Sequence, residues 1–170
     1  LLSRDKAYKI DEIVNTQAVK RWILLVSKMI SLAIAVAGLL LLMILCGILF
    51  QANAGYYNFE ISQYFISIFG LEYIKYILLI GMAFFVHSLI NNKYIGYVIL
   101  IVFMIWQNIF AGSILQHNLL IFGSSPEWFY SDMNGYGFSI FPYWAFKTYW
   151  LLFTVILVII SNLFLVVQSE

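Results

Sequence analysis

The chain reads as an all-α membrane protein. Apolar residues make up 64% of its 170 positions and charged residues only 10%, far above the apolar share and far below the charge density of a soluble domain. The nine Lys and Arg and the eight Asp and Glu are placed so unevenly that long uncharged runs stand out at residues 29–59, 76–92, 94–126 and 148–169. Within those runs Leu, Ile, Val and Phe follow one another with Ala and Gly between them, and the alternation of barrel strands is missing. A helix satisfies its own backbone and needs about 20 apolar residues to cross about 30 Å of hydrocarbon. Each run supplies enough, so transmembrane helices are expected at about 22–50, 74–90, 95–115 and 144–167. They form one domain, 22–170, behind an amino-terminal segment, 1–21, of different character.

That first segment mixes charge with an amphipathic pattern. Ile10, Ile13 and Val14 share one face at i, i+3, i+4, while Asp11, Glu12 and Asn15 point elsewhere. Such a helix lies on a membrane surface as an anchor or docks on a cytosolic partner. Lys20 and Arg21 beside Trp22 form a basic collar where the chain enters lipid, and Asp11, Glu12, Lys20 and Arg21 are the candidate docking residues. In the first span, small residues four apart at Ser31/Ala35 and Ala33/Ala37 let another helix approach closely. Between residues 59 and 69, Ile61, Phe65 and Ile68 line one face and Ser62, Gln63 and Ser67 the other, which predicts a short interfacial helix within a loop, 51–73. The second span is then short and begins near Ile74 or a turn before it.

Asn91, Asn92, Lys93 and Tyr94 make a tight turn into the third span, and a long loop, 116–143, precedes the fourth. In that loop Pro126 and Pro142 punctuate, while Asn134-Gly135 and Gly137 favour turns of positive φ. Phe129, Tyr130, Tyr136, Phe138 and Phe141 seat it on the bilayer surface as a lid or gate, with His117, Asp132 and Asn134 as its candidate polar residues. Counted from Asp132, the twelfth position of an EF-hand would be Tyr143 instead of glutamate, so no metal is expected there.

Orientation follows from the basic residues. Arg4, Lys6, Lys9, Lys20, Arg21, Lys28 and Lys93 fall on one side and only Lys75 and Lys147 on the other. Both ends are therefore expected in the cytoplasm. Inside the spans, His87 sits beside Ser88 near the cytoplasmic end, suited to a conduit or to a bond with a neighbouring helix. Gln107 and Asn108, near the middle of the third span, either bond across helices, at about 0.6 kcal/mol each on average, or face a pore. Asn162 has the same choice. No catalytic pair shares a depth, His87 and His117 fall on opposite sides, and the net charge of +1 provides no nucleic-acid surface. The single cysteine, Cys46, cannot form an intrachain disulfide.

Residues 11–14, 16–19 and 25–28 (Asp-Glu-Ile-Val, Thr-Gln-Ala-Val and Leu-Val-Ser-Lys) resemble the cytoplasmic segment before the third helix of exporter-type ABC transporter permeases. Residues 57–60, 86–96, 117–119 and 130–137 are similar to phrases of bacterial, Bacteroidetes-type membrane proteins in which such a permease is fused to a zinc aminopeptidase of the gluzincin class. The resemblance implies that the four spans are the third to sixth helices of a six-helix permease unit in the inner membrane, with short re-entrant pieces before the last helix. It implies a substrate pathway, further helices of the same or a second unit, and a separate ATPase subunit carrying ATP. Neither H-E-x-x-H nor a P-loop occurs in these residues. Because the chain opens at Leu1 without methionine or signal-peptide pattern, it is expected to be a piece of a longer protein. The alternative role is a passive membrane anchor for an aminopeptidase domain.

Overall fold

A computed structural model of the chain describes residues 21–90, 92–111 and 117–167, and these are helical apart from the loops between helices and one isolated bridge, Ser131 to Gly135. Helix α1 is Arg21–Asn53, α2 is Ile61–Leu89, α3 is Lys93–Trp106 prolonged by a π turn, Gln107–Ala111, and α4 is Ile140–Val167. Among the described residues, α1, α2 and α4 are long and apolar enough to cross a bilayer, whereas the apolar stretch of α3, Tyr94–Ile109, is shorter. The chain is a membrane protein by that measure.

The second span departs from expectation. No short interfacial helix separates from a span starting near Ile74, and the loop expected to run from 51 to 73 ends at Glu60, because α2 runs unbroken from Ile61 through a π-helical stretch, Ile66–Glu72. Two features carry the helix across this polar region. Glu72 and Lys75, which read in sequence as the wet end of a span, lie one turn apart and pair at 2.7 Å. The wide π-helical turn also places Leu71 inward, 1% exposed. At α4 the helix starts at Ile140 instead of 144, since Pro142 falls in the first turn, where a missing N–H costs nothing.

Helices α2 and α4 form the central pair and run parallel, with Tyr143 beside Leu71 and Thr154 beside Gly81. Gly81 makes their close approach possible. Thr154 and Ser161 hand their hydroxyl protons to the carbonyls of Trp150 and Leu157, each at 2.8 Å, so no buried donor of theirs is left over. Helix α1 runs antiparallel to α2, held where the Tyr73 hydroxyl donates to the Ala33 carbonyl at 2.9 Å. Of the two small-residue pairs in α1, Ala33/Ala37 is half-buried and Ser31/Ala35 is exposed. Helix α3, also antiparallel, meets α2 where Gly96 abuts His87.

The loop before α4 does not merely rest on the end of the bundle. Phe122 packs edge-on against Trp150 at 5.2 Å and reaches Phe103 and Phe153, each at 6.3 Å. Phe153 lies about 20 Å along α4 from Ile140 at a rise of 1.5 Å per residue. The loop therefore sinks between α2, α3 and α4. By contrast, the surface aromatics Phe129, Phe138 and Phe141 are exposed.

Candidate functional site

Irregular backbone at that depth survives only where protein or a water-filled cavity satisfies its polar groups. Two side chains do so here. The amide of Gln107, at the start of the π turn that prolongs α3, donates to the Phe122 carbonyl, and the ammonium of Lys147 donates to the Gly123 carbonyl at 2.5 Å. Gly123 itself has φ +70, with Leu78 3.5 Å from where a Cβ would stand, a left-handed turn for which glycine is the natural residue. The inserted loop is thus pinned from both helices that flank it.

Around this pin lies a cleft in two compartments. The polar one, 330 Å³, is walled by Lys75, Lys147, Tyr143 and the loop residues Gly123 to Trp128, including Ser124, Ser125 and the carboxylate Glu127. The other, 230 Å³, shares Lys75 and Gly123 with it and continues along Leu78, Leu79, Met104 and Phe122 to Gln107 and Asn108. Lys147 has no exposed surface. Its ammonium sits 5.3 Å from the centre of the Tyr143 ring, close enough for a cation–π attraction. Among the described residues it makes no ion pair with a carboxylate; Glu72 is committed to Lys75. It donates to the Gly123 carbonyl and stands on the wall of the polar compartment. Tyr143, also without exposed surface, donates its hydroxyl to the Leu71 carbonyl. Tyr143→Phe, which removes this second bond to a helix carbonyl, is expected to lower stability by about 1 kcal/mol, read as a fall in Tm in detergent. An unchanged Tm would show that this bond adds nothing to stability.

No protein-family model matches the chain, and no curated protein or solved structure matches it either.

A second cavity, 460 Å³ and polar, lies where α1 ends and α2 begins, lined by Gln51, Glu60, Gln63, Ser67 and Asp132 among others. The Gln63 amide donates to the Tyr130 hydroxyl, and the Ser67 and Tyr136 hydroxyls meet at 2.8 Å. Partial desolvation, then the negative fields of Glu60, Asp132 and Tyr136, push the Tyr130 phenol above its ordinary range, so it stays neutral. Among the described residues no group of three or more His, Cys, Asp or Glu side chains converges.

The residues singled out in sequence scatter over the molecule. Asp11, Glu12 and Lys20 lie outside the described residues, and Arg21 opens α1. His87, in the last turn of α2, is half-buried edge-on to Tyr97 at 4.8 Å and pressed on Gly96, at the end of the bundle away from the cleft. Gln107 and Asn108 open the π turn that follows Trp106, on the wall of the apolar compartment; Asn108 also donates to the Met104 carbonyl at 2.8 Å. Asn162 has a buried Oδ1 with no partner among the described residues. Of the three loop residues, His117 lies apart from Asp132 and Asn134, which belong to one turn. His117 caps a 3₁₀ turn, Asn118–Leu120, accepting from the Leu119 N–H at 3.3 Å and stacking on Phe146 at 6.5 Å. Asp132 turns to the second cavity, and Asn134 closes the 131–135 turn, its N–H on the Ser131 carbonyl at 3.2 Å.

Sequence reasoning missed Lys147 and Lys75 as site residues, although the signal was present. They are the only two cations that break the one-sided distribution of basic residues, and a lysine set against that trend inside a span has a task other than topology.

Proposed function

We propose that the chain is the membrane-spanning permease part of an ABC-type transporter of the bacterial inner membrane, lining part of a substrate pathway and docking a separate ATPase through residues 1–21. The observation that carries this reading is the buried Lys147 holding a sunken loop at a cleft. A passive anchor needs apolar helices alone, and a desolvated ammonium is a standing cost to it of several kcal/mol. A loop with irregular backbone wedged between helices, and pinned by polar side chains, is what a pathway that opens and closes requires. The exposed Ser31/Ala35 pair on α1 supplies a surface for the remaining helices of a larger unit, and the resemblance described above supplies the partner.

The reading is tested on the full-length protein. Affinity purification from detergent is expected to recover an ATPase with wild type and to lose it, by at least about tenfold, when Asp11→Lys and Glu12→Lys are combined, because reversing both carboxylates turns paired charges into repelling ones. Absence of an ATPase from both preparations would leave the helices as an anchor for an aminopeptidase domain.

A further inference from the structure

We infer that the two-compartment cleft is a binding site for an anionic lipid, its phosphate held by Lys147 and Lys75 and its acyl chain lying along Leu78, Leu79 and Met104. Neither half of the cleft explains itself alone. The polar half, 330 Å³, brings to one wall a buried ammonium bonded to the Gly123 carbonyl, a second lysine from another helix and the Ser125 hydroxyl, with Glu127 as its one carboxylate. A cation withdrawn from water without a carboxylate partner is stabilised by an anion, and lysine meets phosphate as a point charge. Ser124 spends its proton on Asn118 at 3.1 Å and keeps lone pairs only, whereas Ser125 stands at the wall of the same compartment.

The apolar half then decides what carries the phosphate. It shares Lys75 and Gly123 with the polar half and is lined by residues of α2 and α3, so the two neighbouring halves suit a head and a tail, and the second is wasted on a free ion. Depth agrees with this. Lys147 lies about 10 Å along α4 from Ile140, and a helix of 28 residues spans about 42 Å against about 30 Å of hydrocarbon, so the ammonium falls near the headgroup level. Trp128 and Tyr143 on the same wall are the amphipathic rings that favour that level.

The inference uses the same cleft as the permease reading but does not need transport. Native mass spectrometry of the full-length protein, stripped of lipid and titrated with phosphatidylglycerol, phosphatidylcholine or inorganic phosphate, tests it. Wild type is expected to retain phosphatidylglycerol in preference to phosphatidylcholine, with affinity lower by about tenfold in Lys147→Met and by about threefold in Lys75→Gln. Lys147→Met also disturbs the loop, so Lys75→Gln, whose side chain is partly exposed, is the second variant, and its lipid preference is read once an unchanged Tm shows that loss of the Glu72 pair leaves the fold in place. Equal retention of the two lipids, or retention indifferent to Lys75→Gln, overturns the site. Inorganic phosphate competing as well as the lipid overturns the lipid assignment, since the apolar half would then contribute nothing. Lipid retained where no ATPase co-purifies keeps this site and removes the permease; an ATPase recovered with no lipid preference does the reverse.

Discussion

Gly81→Ala is expected to lower the unfolding free energy by about 2–3 kcal/mol, the cost of overpacking the α2–α4 contact. A Cβ at position 81 would stand 2.1 Å from Thr154 Cγ2, where carbon atoms prefer about 3.5–4.0 Å. Thr154 cannot swing aside freely. Its Oγ1 is tied to the Trp150 carbonyl at 2.8 Å, and a β-branched residue in a helix has few rotamers to choose from. The helices must therefore part by more than an ångström, or that hydrogen bond must break. Alanine's better helix propensity returns about 1 kcal/mol, less than the clash takes. Adding Thr154→Ser removes Cγ2 and keeps the hydroxyl, after which the nearest neighbours are the residue-154 Cβ at 3.6 Å and Val158 Cγ2 at 3.8 Å, ordinary contacts. The double variant is expected to recover most of the loss when Tm is measured in detergent. A single variant as stable as wild type, or no recovery in the double, would rule out this helix contact.

The helices were legible in the sequence for a simple reason: in hydrocarbon the backbone has one local solution, and continuous apolar runs announce where it is used. Their ends were less so, because an end is decided by how charge is neutralised. Glu72 and Lys75 look like the finish of a loop until one sees them paired a turn apart on a continuous helix. Long-range placement was the least readable. The four apolar residues Leu119 to Phe122 ahead of Gly-Ser-Ser-Pro were the only sign that part of the long loop goes inward, and periodicity says nothing about which neighbour receives it. Gln107 was recognised as an amide that avoids lipid, but its partner, the Phe122 carbonyl, belongs to a segment with no pattern of its own. Lys147 was counted for topology alone, since nothing local distinguishes a lysine at a headgroup from one turned into the bundle.

Lys147→Met is expected to unseat the inserted loop more than it unfolds the protein. Two opposing effects set the outcome. Removing the ammonium recovers its desolvation cost, which is why buried charges exchanged for apolar residues of similar volume are often tolerated. It also strands the Gly123 carbonyl, at about 1–3 kcal/mol for an unmet buried acceptor. Local opening of the loop returns that carbonyl to water without disturbing the α2–α4 pair, so the opening equilibrium absorbs the change and is expected to shift by about tenfold or more. Ser125→Cys, placed in a Cys46→Ser background because Cys46 is exposed, reports this as faster maleimide labelling. Lys147→Arg, which keeps a donor and the charge, is expected to label much like wild type. Gln107→Leu strands the Phe122 carbonyl and raises labelling in the same way. Combined with Lys147→Met it adds less than its separate effect, since one loop cannot be released twice. Labelling that ignores Lys147→Met would mean that the ammonium does not hold the loop, and the cleft would lose its floor.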